Sequence, residues 1–438
     1  MKRNLGKALA LGLSMTMVAG LAVGCGSSSD SDSSSKSENG KGSVYWLNFK
    51  PEADEALQDI AKTYKKETGV AVKVVTAASG TYEQTLTSEM DKSKAPTLFV
   101  VGNQASVKTW DDYCYDLKDT DVYNELSTQD FTLTDDSGKV CSIGYCYESF
   151  GIIVNKALLE KAGHKLDEIT NFDSLKKVAD DIHDNAKSLG FDAFTSSGMD
   201  DSSSWRFSGH LANMPLYYES VDDNWKEAPS EIKGTYLDNY KKIWDLYTTD
   251  TAADKKQLAT GGFDAEAEFK DGKAVFFQNG TWEYSGLTKD GAMKAEDLAM
   301  IPIYCGVDGE EKAGLCSGTE NCWAVNSKAS EKDRQATLDF MKWLVTSEAG
   351  TKMMSEQFGA IPYKGAVESD NVFLKDAKKY MDAGNYTVSW AFNYTPNVDE
   401  WRAGVVAAMN QYDNGGSWDD VKTAFVSGWK TQYAAANK

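Results

Sequence analysis

From Ser43 onward, apolar positions along the chain alternate between two rhythms. "VYWLNF" (Val44–Phe49) is a short apolar run that reads as a strand. Ala53, Ala56, Leu57, Ile60, Ala61 and Tyr64 then recur at helical spacing until Gly69 stops the pattern. "VAVKVV" (Val70–Val75) and "TLFVVG" (Thr97–Gly102) predict two further strands, with the polar helix "TYEQTLTSEMDKS" between them. Strand–helix–strand alternation with short links predicts a parallel α/β sheet.

A second series of the same kind begins at "FGIIVN". Helices are predicted near Lys156–Ala162 and Ser174–Leu189, then a strand at Phe191–Ser197 and a helix around Tyr236–Tyr247. Strands follow at Ala274–Asn279, Leu298–Tyr304 and Asn321–Asn326. Leu338, Met341, Leu344 and Val345 share one helical face, and the chain ends in helical patterns around Val405–Met409 and Val421–Trp429. There is no fixed-period repeat. Two α/β lobes with a cleft between them are expected, and loops at strand ends are where such sheets hold ligands.

The first residues follow a different rule. "MKRNLGKALALGLSMTMVAGLAVGC" has a basic start, an apolar stretch and a Cys after small residues, the layout of a secretory signal ending in a lipobox. Cys25 is the expected lipidation site, and "GSSSDSDSSSKSENGKG" reads as a flexible tether. Export permits disulfides. The six cysteines after Cys25 (Cys114, Cys141, Cys146, Cys305, Cys316 and Cys322) allow fifteen pairings, and buried thiols or one or two local bridges are expected. The formal charge is −20, and −23 once Lys2, Arg3 and Lys7 leave with the signal, which argues against nucleic acid as a partner.

Motifs for chemistry are missing. Three histidines form no HExxH pair, and no GxSxG elbow, Walker loop or GxGxxG follows a strand. No metal-ligand cluster and no cofactor cradle is seen, and "TDDSGK" reads as a turn. Two carboxylates about 5 to 9 Å apart suffice for a glycosidase, so Glu148 and Glu283, in aromatic loop settings, form the one catalytic alternative. What the strand ends do carry is a repeated mixture of rings, carboxylates and amides. Trp46, Asn48, Lys50 and Glu52 stand at the exit of the first strand, Asn103 and Gln104 after the third, and Trp282 and Glu283 after the Phe-rich strand. Trp205 sits in a long polar loop and Trp401 near a helix start, while Tyr147 and Glu148 precede "FGIIVN". A sugar ring has a C–H face that suits a flat apolar surface and an equator of hydroxyls that suits charged hydrogen-bonding groups. The set therefore predicts a saccharide site.

Four stretches, "YWLNFKPEADEALQDIAKTYKKETGVAVKV", "YESFGIIVNKALLEKAG", "GKAVFFQNGTWEYSGL" and "SEKDRQATLDFMKWLVTSEAGTKMMSEQFGAIPYKG", together resemble the carbohydrate-binding lipoproteins of bacterial ABC importers. These are extracellular solute-binding proteins of the maltose-binding-protein-like kind, and the resemblance spans essentially all of the chain after the leader. It implies a two-lobed periplasmic-binding-protein-like fold of type II, with parallel-core sheets flanked by helices and a ligand cleft at the hinge. The implied organisation is a signal peptide over 1–24, the lipidated Cys and tether over 25–42, an N-terminal lobe of 43–148 plus about 305–360, and a C-terminal lobe of 149–304 plus about 361–438. It further implies capture of oligosaccharides, maltooligosaccharides first, and delivery to permease subunits by a monomer held by its lipid on the outer face of the cytoplasmic membrane, as in Gram-positive lipoproteins. Trp282 would be the main stacking platform and Glu148 the hinge carboxylate, with Lys50, Glu52 and Asn48 in the charged first loop. Asn103 and Gln104 fall on polar cleft positions, and Trp205 and Trp401 near aromatic ones. Val101 stands where the family has a stacking ring, which Trp46, Tyr82 or Tyr145 would have to replace.

Overall fold

The computed structural model describes residues 40–200 and 202–437, and among the described residues there are twelve strands. The signal sequence, Cys25 and nearly all of the tether lie outside the described residues. In chain order the strands are β1 (Ser43–Asn48), β2 (Ala71–Thr76), β3 (Leu98–Val100), β4 (Thr132–Thr134), β5 (Val140–Gly144) and β6 (Glu148–Asn155). They continue with β7 (Asp192–Phe194), β8 (Ala274–Gly280), β9 (Leu298–Ile301), β10 (Ala313–Gly318), β11 (Cys322–Val325) and β12 (Tyr386–Ser389). One sheet has the order β2-β1-β3-β11-β5-β4; the other runs β12-β10-β6-β8-β7, with β9 also paired to β6.

Helices form where the spacing predicts them. Asp54–Thr68 buries Leu57, Ile60, Ala61 and Tyr64 and ends on Gly69, whose φ of 78° lets its N–H return to the Lys65 carbonyl. Glu331–Thr346 is capped by the Ser330 hydroxyl, and Phe172–Asp184 by a reciprocal box of Asn171 and Ser174. "TDDSGK" is the turn between β4 and β5, where the Asp135 carboxylate accepts from the Ser137 and Lys139 amides. No described helix is long and apolar enough to cross a membrane.

Two expectations are corrected. The sheets are mixed rather than parallel at the core: β1 pairs in parallel with β2 and β3, but β11 runs antiparallel to β3, and β6 antiparallel to β8, β9 and β10. The reason is the route of the chain. β1, β3, β8 and β10 end at the gap between the sheets, whereas β6 and β11 begin there because the chain has just crossed from the other sheet. A strand that enters from the cleft edge must oppose strands that exit at it. The return crossing also lies later than about 305, since β10 pairs with β6 in the second sheet and the chain re-enters the first only at β11. A third passage lies in 364–371, because Ile361 and Tyr363 still pack in the first core while Phe373 packs in the second lobe.

Each sheet has its own aromatic core. Trp46 is fully buried and meets Trp323, Phe340 and Tyr145 edge-on, with centroids 5.8, 6.1 and 6.4 Å away. Trp401 is 2% exposed, donates from Nε1 to the Phe425 carbonyl and packs on Phe425 and Trp429. The six described cysteines are all buried free thiols. Trp46→Ala and Trp401→Ala are each expected to lower unfolding stability by about 3–5 kcal/mol, read by chemical denaturation. A loss under about 1 kcal/mol would show that the ring is not core.

Candidate functional site

The gap between the sheets is a cavity of about 1180 Å³, large enough for several sugar-sized rings. Its hinge end is built from three segments that meet at one carboxylate. Glu148 opens β6 at the first crossing and Asn321 precedes β11 at the second, while Lys50 follows β1. Lys50 Nζ lies 2.7 Å from Glu148 Oε1, and Asn321 Nδ2 donates to Glu148 Oε2 at 2.7 Å. Lys50 Nζ also reaches Glu52 Oε1 at 3.0 Å and stands 5.2 Å from the ring centre of Trp282. Burial by itself would pull the Lys50 ammonium down; the Glu148 and Glu52 carboxylates more than offset this and hold it above its ordinary value. Burial pushes Glu148 up, with Lys50 and Asn321 pulling the other way. At 2.7 Å and with both carboxylate oxygens occupied, we assign an ion pair.

The second-lobe wall is aromatic. Trp282 follows β8, with Trp205 at 6.3 Å and His210 at 5.3 Å; His210 stacks flat on Phe150 at 4.0 Å. Trp390 and Phe392, stacked at 5.4 Å, continue the wall. Two of these indoles rest on glycines at strand ends. A Cβ at Gly280, the last residue of β8, would meet the Trp282 ring at 2.2 Å, and one at Gly318, the last of β10, would meet Trp390 at 2.7 Å. His210 lies in the π-helical segment Arg206–Leu211, is 6% exposed and has a buried Nδ1 without a partner. Burial, then Arg402, Arg206 and Lys50, hold its pKa far below the usual range, so the imidazole is neutral. Opposite, Phe49 and Tyr82 pack edge-on at 5.3 Å on the first-lobe side. Glu283 accepts from Asn279 Nδ2 at 2.7 Å, and burial, with Glu266 and Glu52 nearby, pushes its carboxyl up to about 8.

Of the residues expected at the site, Lys50, Glu52, Asn103, Glu148, Trp205, Trp282 and Glu283 line this cavity. Asn103 also caps the helix Gln104–Trp110, accepting from the Ser106 amide. The other four lie elsewhere. Trp46 and Trp401 are core rings, because Trp46 points to the packed face of its sheet and Trp401 to the packed face of its helix. Asn48 is buried and exchanges hydrogen bonds with the Lys50 backbone, so it shapes the first loop without reaching the cavity. Gln104 is exposed and donates to the Thr134 carbonyl. Among the rings that could replace a stacker at Val101, Tyr82 lines the cavity, whereas Tyr145 stacks on Trp323 in the core. His210, Arg402, Trp390 and Phe392 were not anticipated; the aromatic run "SWAFNY" was the available signal for the last two. Among the described residues, no group of three or more His, Cys, Asp or Glu could hold a metal ion.

Residues 59–381 match the family model of the bacterial extracellular solute-binding proteins. Solved structures share the fold at low identity. A periplasmic solute-binding protein from Pectobacterium atrosepticum matches with a TM-score of 0.70 at 16% identity, over 91% of this chain and 100% of that one. The solute-binding protein RafE in complex with raffinose gives 0.69 at 14%, over 90% and 100%. The maltose/maltodextrin-binding domain MalE from Bdellovibrio bacteriovorus bound to maltotriose gives 0.64 at 17%, over 90% and 99%. With two lobes joined by several crossings, a deep cleft at the hinge and a family match over most of its length, the chain belongs to the bacterial extracellular solute-binding proteins.

Proposed function

We propose that the protein is the receptor of a bacterial ABC importer, capturing an oligosaccharide in the cleft and presenting it to a membrane permease. The observation that carries this reading is the wall of flat rings, Trp205, Trp282, Trp390 and Phe392, facing a rim of carboxylates, amides and Lys50. Rings of this kind receive the C–H face of a sugar, and the charged groups fix its hydroxyls. α-1,4-Linked maltooligosaccharides are the first cargo to test, on the resemblance around Trp282 and the maltotriose-bound protein of the same fold. The lobes close by bending at the crossings, and the closed form docks. A lipid on Cys25 and the tether of 25–42 hold this monomer at the outer face of the cytoplasmic membrane. No bond is broken in this reading, so the sugar leaves as it arrived.

Calorimetric titration of the purified protein with maltose, maltotriose, longer α-glucans, raffinose, xylo- and galacto-oligosaccharides is expected to give one-to-one micromolar binding to one class, about −8 kcal/mol. Sugar recovered afterwards should be intact; cleaved sugar would instead assign Glu148 and Glu283 to hydrolysis, and silence across the panel would reject the saccharide reading. Trp282→Ala should weaken binding roughly 30-fold or more, about 2 kcal/mol. Gly280→Ala should do nearly the same while leaving Trp282 in place chemically, because the new methyl displaces its ring; unchanged affinity in that variant would contradict the seating described above. Lys50→Met leaves Glu148 buried and uncompensated, and should lower stability by about 3–5 kcal/mol. Adding Glu148→Gln should recover much of that stability but none of the affinity, measured by denaturation and titration side by side.

A further inference from the structure

The cavity walls carry ten carboxylates and only three side chains with a fixed positive charge. Two of the three are already committed. Lys50 serves Glu148 and Glu52, and Lys289 of the second lobe pairs with Glu55 of the first at 3.0 Å. That second pair shows the lobes meeting, cation against anion, at one end of the cleft.

At the other end, carboxylates meet carboxylates. Glu83 comes from the first lobe, Asp399 from the second and Glu320 from the crossing before β11, all at the cavity with Arg402. Burial pushes Glu83, Glu320 and Asp399 up, and the Asp399 carboxylate across the gap adds to the rise at Glu83. Glu83 accepts from Trp110 Nε1 at 3.0 Å; Glu320, Asp399 and Arg402 form no side-chain hydrogen bond or ion pair among the described residues, although Arg402 lies 5.6 Å from the ring centre of Phe392. The one guanidinium therefore lies near Glu320 and Asp399, and Glu83 lies near Asp399 across the gap. Beside them the wall presents polar atoms that nothing in the protein satisfies: His210 Nδ1 and the Thr395 hydroxyl, on side chains 6% and 1% exposed, both at the cavity. Buried polar groups without partners are costly, and at a cleft they mark where a ligand completes the hydrogen bonding.

We propose that the saccharide taken by this cleft carries protonated amino groups, one of which sits between Glu83 and Asp399 as the countercharge that holds the two lobes together. The inference rests on the oligosaccharide reading above and specifies the charge of the cargo. An ammonium group has three donors and no acceptor, so it can satisfy carboxylates from both jaws at once. Neutral His210 and Thr395 would receive hydroxyls of the same sugar. A hydroxyl in place of the amine leaves the carboxylates opposed without compensation, and a uronate adds to the repulsion.

The test holds the sugar backbone constant and changes one substituent. Cellotriose, chitotriose and the β-1,4-glucosamine trimer carry hydroxyl, acetamido and ammonium at the same carbon. Maltotriose and an α-1,4-glucosamine trimer carry hydroxyl and ammonium at that carbon in the α-linked series, and trigalacturonate is the anionic control. Titrated near neutral pH and low ionic strength, the ammonium member of at least one series should bind about tenfold or more tighter than the hydroxyl member. Trigalacturonate should not bind, and added salt should erode the ammonium advantage. Asp399→Asn, alone and with Glu83→Gln, should abolish that ratio, lowering ammonium-sugar affinity and raising hydroxyl-sugar affinity as the opposed charges are removed; a ratio that survives both substitutions would overturn the proposal. Hydroxyl or acetamido members that bind as tightly as the ammonium member, or tight binding of trigalacturonate, would overturn the proposal and leave the oligosaccharide reading standing. If none of the six trimers binds, the proposal is overturned, and the oligosaccharide reading falls with it only if the wider sugar panel above is silent too.

Discussion

The Glu148 carboxylate is the constraint from which the cleft is built. A charge 3% exposed has to be met by partners, and Glu148 has two: the Lys50 ammonium and the Asn321 amide. Lys50 comes from the first lobe, Asn321 from one crossing and Glu148 from another. Satisfying one carboxylate therefore fixes the relative positions of the first loop and two of the three connecting segments. Asn321 Oδ1 passes the constraint on by accepting from Tyr145 at 3.3 Å, and the hydroxyls of Ser149 and Ser317, at 2.7 Å, join β6 to β10 just beyond the hinge. The same ammonium that neutralises Glu148 stands over Trp282, so the electrostatics of the hinge and the placement of the main ring are one arrangement.

Strand direction follows from the same crossings. Because β6 and β11 start at the cleft, they run against strands that end there, and the exits of β1, β3, β8 and β10 are all left facing the gap. Those exits carry the working side chains. Two of them end in glycine, and that choice matters for the rings that follow: without a Cβ at Gly280 or Gly318, Trp282 and Trp390 lie flat against the backbone instead of standing off it. A platform held this way loses little conformational freedom when a ligand settles on it.

The cleft is also electrostatically lopsided. Its hinge end is compensated by Lys50 and one rim by the Glu55–Lys289 pair, while the opposite rim has Glu320 and Asp399 beside Arg402 and Glu83 near Asp399. In the closure proposed above, like charges on the two lobes would oppose approach over a longer range than steric contacts act.

What the residues alone determined is the local order of the chain and much of its chemistry. The helix Asp54–Thr68, the strand at Ala274–Gly280 and the placement of Lys50, Glu148, Trp205, Trp282 and Glu283 at the ends of strands and helices were legible because periodicity and composition are set within a few residues. Tertiary structure alone decided which way each ring points. Trp46 and Trp401 look like Trp282 in sequence, yet both are core. Trp46 falls on the wrong side of a strand whose side chains alternate faces. Trp401 falls on the packed side of its helix, and one residue later, about 100° further round, Arg402 reaches the cleft. His210 was equally hidden, because only packing against Phe150 and Trp282 makes a helical histidine part of a wall. The sheets are mixed for the same reason: strand direction depends on which lobe the chain has just left, and that is a property of the path through space.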